Sequence, residues 1–246
     1  MGNKSVGTLT KLSTLAFSLL IAPLALQADT LTVGSPMTGT TLTVSDNSLT
    51  NLGYNQVDAY IDPYQGTLNG NSVILFCVDA DHFDGSGPYA VNISPDGVGT
   101  ATEQVVYHGL SSTQAASLYG AEAYLSQQLI NTSASDSTTR QEIQAAIWQL
   151  ADPSATFPDF AGATPADIAF NNAVTNYETT AESAENIPSF EIATDSACTS
   201  AGNCVSTRQE YLILTPEPRS ILLALPGFLT LIGFRRRRIR VMDREP

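Results

Sequence analysis

The hydrophobic period of this chain changes twice, and that switch limits the folds open to it more than any other feature. Before residue 111 the apolar positions recur every second residue, as half-buried strands require. Thr30 to Val44 alternates Thr with Val or Leu around Gly and Pro, and Asn55 to Ile61 puts Val57, Ala59 and Ile61 on one face. Ser72 to Val78 is the most apolar of these segments and is expected centrally in a sheet, and Tyr89 to Ile93 begins another strand. Asp62-Pro63-Tyr64-Gln65-Gly66 and Asn69-Gly70 read as turns. From Ser111 the spacing becomes helical: one helix over Thr113 to Ile130, and a second with a capping-box signature at Thr138 and Gln141, ending near Ala151 before Pro153. A third begins at Thr164, with Pro165 at the first helical position and Asp167 nearby, and runs to about Tyr177. Strand signals return at Phe190 to Ala193 and Glu210 to Leu214. The pattern predicts an α+β fold: a β-sandwich or barrel-like sheet with a two- to three-helix insertion. No repeat of fixed period and no second domain is visible, and 246 residues suffice for one core plus segments at both ends.

Both ends read as targeting segments. Lys4 and Lys11 precede the apolar run Leu12 to Leu26, and cleavage after Ala28 fits a small-residue site, so residues 1–28 are expected to be a secretory signal peptide. Residues 29–214 are then the ectodomain. Residues 215–246 hold Pro216-Glu217-Pro218, an apolar run from Ile221 to Phe234, and Arg235, Arg236, Arg237 and Arg238. That run spans about 21 Å as a helix, short of the roughly 30 Å hydrocarbon core, and Pro226 and Gly227 weaken it further. The arginines orient it with the rest of the chain outside. An ordinary single-pass tail anchor would read the same way. The three-part order nevertheless resembles the PEP-CTERM sorting signal. The resemblance implies export across the inner membrane, transient anchoring there, processing by an exosortase partner near the Pro-Glu-Pro, and delivery to the cell surface or extracellular matrix.

Between Asp29 and Thr215 there are 21 acidic side chains, and the basic ones are Arg140 and Arg208. A domain so charged has no basic face for nucleic acid or anionic lipid. It also lacks Lys, which excludes Lys–Asn isopeptide cross-links and leaves no side-chain amine to consume a reactive acyl group.

Cysteine arithmetic singles out one residue. Cys198 and Cys204 bracket a short loop that a disulfide can close in an oxidising compartment, which leaves Cys77 odd. By itself Cys77 reads as a small buried hydrophobe. It stands in Phe76-Cys77-Val78-Asp79, at the end of the most apolar strand segment. The single Trp of the chain, Trp148, lies four residues after Gln144 in Ile143-Gln144-Ala145-Ala146-Ile147-Trp148, so the two share a helix face.

In this order, across a helical insertion, the two motifs resemble those of the thioester domains of bacterial surface adhesins. Cys77 and Gln144 fit the two motifs residue by residue, although Ile143 stands where those adhesins often have Thr and the sorting tail is of another kind. A group of PEP-CTERM surface proteins resembles the chain more widely, through Asp62-Pro63-Tyr64, Tyr119 to Leu129 and Gln144 to Pro153. The likeness implies a Cys77–Gln144 thioester open to an amine-bearing surface or matrix target, Trp148 shielding it, and Asp79 or His108 moving protons. It implies adhesion without turnover, hence no enzyme and no cofactor. A passive matrix component and, further off, a secreted hydrolase are the alternatives. No Gly-x-Ser-x-Gly, Walker or zincin motif occurs. Asp79, Asp81 and Asp84 lack the Glu of a calcium loop, and His82 and His108 lack a metal-ligand spacing, so no metal is expected.

Overall fold

The computed structural model describes residues 28–45, 55–78, 87–95, 110–197 and 209–215. The signal peptide apart from Ala28, Asp79 and the loop it opens, His82, His108, the Cys198–Cys204 pair, and the sorting tail with Pro216 to Pro218 and Arg235 to Arg238 lie outside those residues. Among the described residues no helix is long and apolar enough to cross a membrane.

Among the described residues six strands close into an antiparallel barrel in the order β1 (Asp29–Pro36), β4 (Tyr64–Leu68), β5 (Asn71–Cys77), β8 (Tyr211–Leu214), β7 (Phe190–Asp195) and β6 (Tyr89–Pro95), which returns to β1. β2 (Thr41–Val44) and β3 (Val57–Tyr60) form a separate two-stranded sheet. The helices α1 (Ser112–Asn131), α2 (Ser137–Ala151) and α3 (Pro165–Glu182) pack on one another and lie between β6 and β7 in the chain. The α+β expectation holds, with the sheet a barrel and the insertion three helices. One hydrophobic core runs through both parts and includes Leu31, Leu75, Phe76, Tyr119, Trp148 and Tyr211.

The β4–β5 hairpin turns at Asn69 (φ 52°) and Gly70 (φ 80°), the paired left-handed conformation that a two-residue hairpin needs and that Asn-Gly supplies. The earlier turn expected over Asp62 to Gly66 is corrected: only its start is irregular, and β4 begins at Tyr64, opposite Leu75. Tyr64 is buried with its ring 6.0 Å from that of Tyr211, so the pull of the core overrides the turn-like Asp-Pro…Gly pattern. Gly66 is a close-packed strand position, where a Cβ would stand 2.6 Å from Leu75 Cδ1 and 2.7 Å from the Thr32 carbonyl oxygen.

Each long helix has a side-chain cap. Ser111 and Gln114 form a capping box on α1, and Thr164 and Asp167 form one on α3. The cap of α2 is not Thr138, as its sequence suggests, but Asp136, whose carboxylate accepts the Thr139 N–H at 3.1 Å. With helical geometry starting at Ser137, Thr138 already lies inside the first turn.

Candidate functional site

Two segments far apart in sequence deliver the candidate pair. Cys77 ends β5, and the antiparallel register sets it opposite Tyr211 of β8. On α2, Arg140, Gln144 and Trp148 succeed one another at intervals of four and line one face, and all three are buried. Polar contacts fix that helix to the entry of β4, the end of α1, β2 and the end of β5. Arg140 Nε donates to Asp62 Oδ1 at 2.8 Å and Nη2 reaches the same oxygen, while Nη1 donates to the Leu129 and Thr132 carbonyls at 3.0 and 2.9 Å. Gln141 Nε2 donates to the Thr41 carbonyl at 3.0 Å. Gln144 Nε2 donates to the carbonyl oxygen of Cys77 itself at 2.9 Å.

The amide of Gln144 is thereby held on the residue that carries the thiol. Cys77 is reduced and only 2% exposed, and Gln144 is 1% exposed. The sulfur has its own polar neighbour, which the sequence reading missed: Gln209 Nε2 donates to Cys77 Sγ at 2.9 Å. Gln209 Oε1 in turn accepts the Tyr211 hydroxyl at 2.8 Å. A signal for this existed. Gln209 lies two residues before Tyr211 on a strand approach, so alternation places a polar side chain on the same side as a core aromatic.

Next to this pair lies a second buried polar cluster. Glu210, 1% exposed, accepts the Tyr119 hydroxyl from α1 on one carboxylate oxygen and the Thr194 hydroxyl from β7 at 3.0 Å on the other. The Val78 N–H points to the Glu210 carbonyl at 3.5 Å, extending the β5–β8 ladder past Cys77. Trp148 is wholly buried on the Gln144 face of α2, and its indole N–H has no hydrogen-bond partner among the described residues. Asp79 and His108, the two expected proton carriers, lie outside the described residues.

Away from the site, the carboxylates of the helical layer crowd one another. Burial, then the negative charge of Asp136, pushes the Glu142 carboxyl above its ordinary range, and burial followed by Glu182 does the same to Glu178. Tyr177 is raised by burial and then by Glu142 and Asp136. Two open grooves, one on the face of β1, β4 and β5 and one between the helices beside Glu178, are lined by neither Cys77 nor Gln144. No group of three or more His, Cys, Asp and Glu among the described residues is placed to hold a metal ion.

No protein-family model matches the sequence, and no curated protein matches it. Solved structures similar to the chain include the N-terminal thioester domain of the fibronectin-binding protein SfbI from Streptococcus pyogenes, at 11% identity and a TM-score of 0.45, covering 79% of this chain and 97% of that one. The N-terminal domain of the Streptococcus pyogenes pilus tip adhesin Cpa is similar at 14% identity and a TM-score of 0.42, covering 76% and 99%. The N-terminal thioester domain of a surface protein from Clostridium perfringens is similar at 11% identity and a TM-score of 0.37, covering 72% and 99%. No residue role follows from likenesses this distant.

Proposed function

We propose that the chain is an exported surface or matrix protein that joins itself to an amine-bearing partner through a Cys77–Gln144 thioester. One observation carries the reading: across 67 residues of sequence, the Gln144 side-chain amide is seated on Cys77, and both residues are buried. Such seating keeps the amide on the residue that bears the thiol, and proximity of that kind is what attack on an unactivated amide needs. The Cys77 sulfur, as thiolate, attacks Gln144 Cδ. The S–Cδ bond forms, the Cδ–Nε2 bond breaks, and the amide nitrogen leaves as ammonia with the thiol proton. A partner amine then attacks Cδ, the sulfur departs as a thiol with a proton from that amine, and an amide links the partner to α2. The event is single-use, so the protein acts as an adhesin and not as an enzyme. Burial of the pair protects the bond from water, and the absence of Lys between Asp29 and Thr215 removes competing side-chain amines.

The same proposal takes residues 1–28 as the export signal and residues 215–246 as the tail that an exosortase processes at the inner membrane. Its support is the sequence order of Pro216-Glu217-Pro218, the apolar run and Arg235 to Arg238.

A passive structural role is the second reading, and one observation favours it: the Gln144 hydrogen bond also satisfies a buried backbone carbonyl at a strand end, a task any structural amide can fill. Intact mass of the purified protein, before and after methylamine, separates the two. Loss of one ammonia, replaced by methylamine in the treated sample and abolished in Cys77→Ala, is the expected result. A mass that matches the unmodified sequence in freshly prepared protein, with no methylamine adduct, would leave the passive role.

A further inference from the structure

We infer that Gln209 controls the charge and orientation of the Cys77 sulfur, an inference that rests on the thioester reading above. The geometry has three parts. Gln209 is buried, and its Nε2 stands 2.9 Å from Sγ with an N–H to offer. Its carbonyl oxygen is occupied by the hydroxyl of Tyr211, which is wholly buried and sits directly across the β5–β8 ladder from Cys77. With the oxygen claimed on that side, the amide presents its N–H, and not its oxygen, to the sulfur. The Gln144 amide is directed instead to the Cys77 carbonyl, through an Nε2 donor at 2.9 Å.

A donor aimed at sulfur stabilises thiolate over thiol, and more strongly in a buried, weakly polarisable setting than in water. The chemistry places negative charge on this sulfur twice. It is the attacking thiolate when the S–Cδ bond forms and ammonia leaves, and it is the departing thiolate when an amine opens that bond. A single fixed N–H therefore assists both steps, and the Tyr211 hydroxyl acts through it as a positioning group. Arg140, the one cation among the described residues, is engaged by Asp62 and two backbone carbonyls.

The test separates the thiol from the thioester. In a Gln144→Ala background Cys77 keeps its thiol, and the carbon-labelled Cys77 Cβ resonance followed by NMR against pH gives its titration. Adding Gln209→Met, which keeps the volume and removes the donor, should move that titration up by about one pH unit or more. Tyr211→Phe should move it the same way by less, and serves if Gln209→Met does not fold. With Gln144 restored, Gln209→Met should slow both ammonia loss and methylamine opening about tenfold or more at neutral pH, with the gap in ammonia loss closing as pH rises. Superimposable titrations with and without Gln209 would overturn the inference. So would ammonia loss that persists in Gln144→Ala and vanishes in Gln209→Met, which would make Gln209 the acyl partner. A wild-type chain that never loses ammonia would sink the thioester reading, while the titration would still decide the role of Gln209.

Discussion

Arg140 shows what single residues contribute here. Its guanidinium is buried against Asp62 and two backbone carbonyls, joining the start of α2, the end of α1 and the entry to β4. Removing one member of such a pair leaves the other charge buried and uncompensated. Arg140→Met is therefore expected to cost about 3–5 kcal/mol, measured by urea unfolding, and a second change, Asp62→Leu, should recover much of it. Recovery that fails would assign Arg140 a packing role instead. At this scale the sequence was legible only where a residue stood out against its own surroundings. Cys77 is odd in number and ends the most apolar strand, and Gln144 is an amide on the face that carries the only Trp. Asp62 looked like a turn residue and Gln209 was not singled out, because their partners lie 78 and 132 residues away and no local pattern encodes either pairing.

Elements were read better than residues, and their limits have physical causes. Hydrophobic period located the three helices because each buries one face. It placed the end of α3 near Tyr177, whereas the helix continues to Glu182. In the extra turn only the small Ala181 is buried, which is too weak an apolar signal to extend the period, and Thr179 and Thr180 turn their hydroxyls back to carbonyls four residues earlier. Barrel and sandwich could not be told apart, since alternation is the same in both and β8 enters between β5 and β7 from the far end of the chain. Closing the barrel also demands close backbone approach. Gly34 lies where the β1–β4 register shifts, and a Cβ there would stand 2.4 Å from the Gln65 carbonyl oxygen. Gly34→Ala should cost about 1–3 kcal/mol through the forced backbone shift. Gly39→Ala, with nothing within 4 Å of the new Cβ, should stay within about 0.5 kcal/mol of wild type. Paired thermal unfolding curves check the contrast, and equal losses at both positions would remove the steric account.

For the molecule as a whole, the excess of carboxylates governs how stability answers to pH. Glu142 and Glu178 hold their protons more tightly folded than unfolded, through burial and then through Asp136 and Glu182 respectively. A raised carboxyl contributes stability fully below its unfolded value, and that contribution is lost as pH rises through the folded value. Melting temperature is thus expected to climb as pH falls from neutrality to about 5, modestly because both groups are only half-buried. Glu142→Gln with Glu178→Gln should flatten the slope and raise the neutral value; a melting curve that instead falls over that window would rule this out. The position of β8 carries a consequence in time. The barrel cannot close, nor can Gln209 reach the sulfur, until β8 docks between β5 and β7, so on every incomplete chain Cys77 lacks its Gln209 neighbour. Pairings this distant are slow to form. If the proposed thioester forms, its pocket is among the last things the molecule makes, and a chain whose last strand has not docked carries its thiol and its amide past every amine it meets without the means to use them.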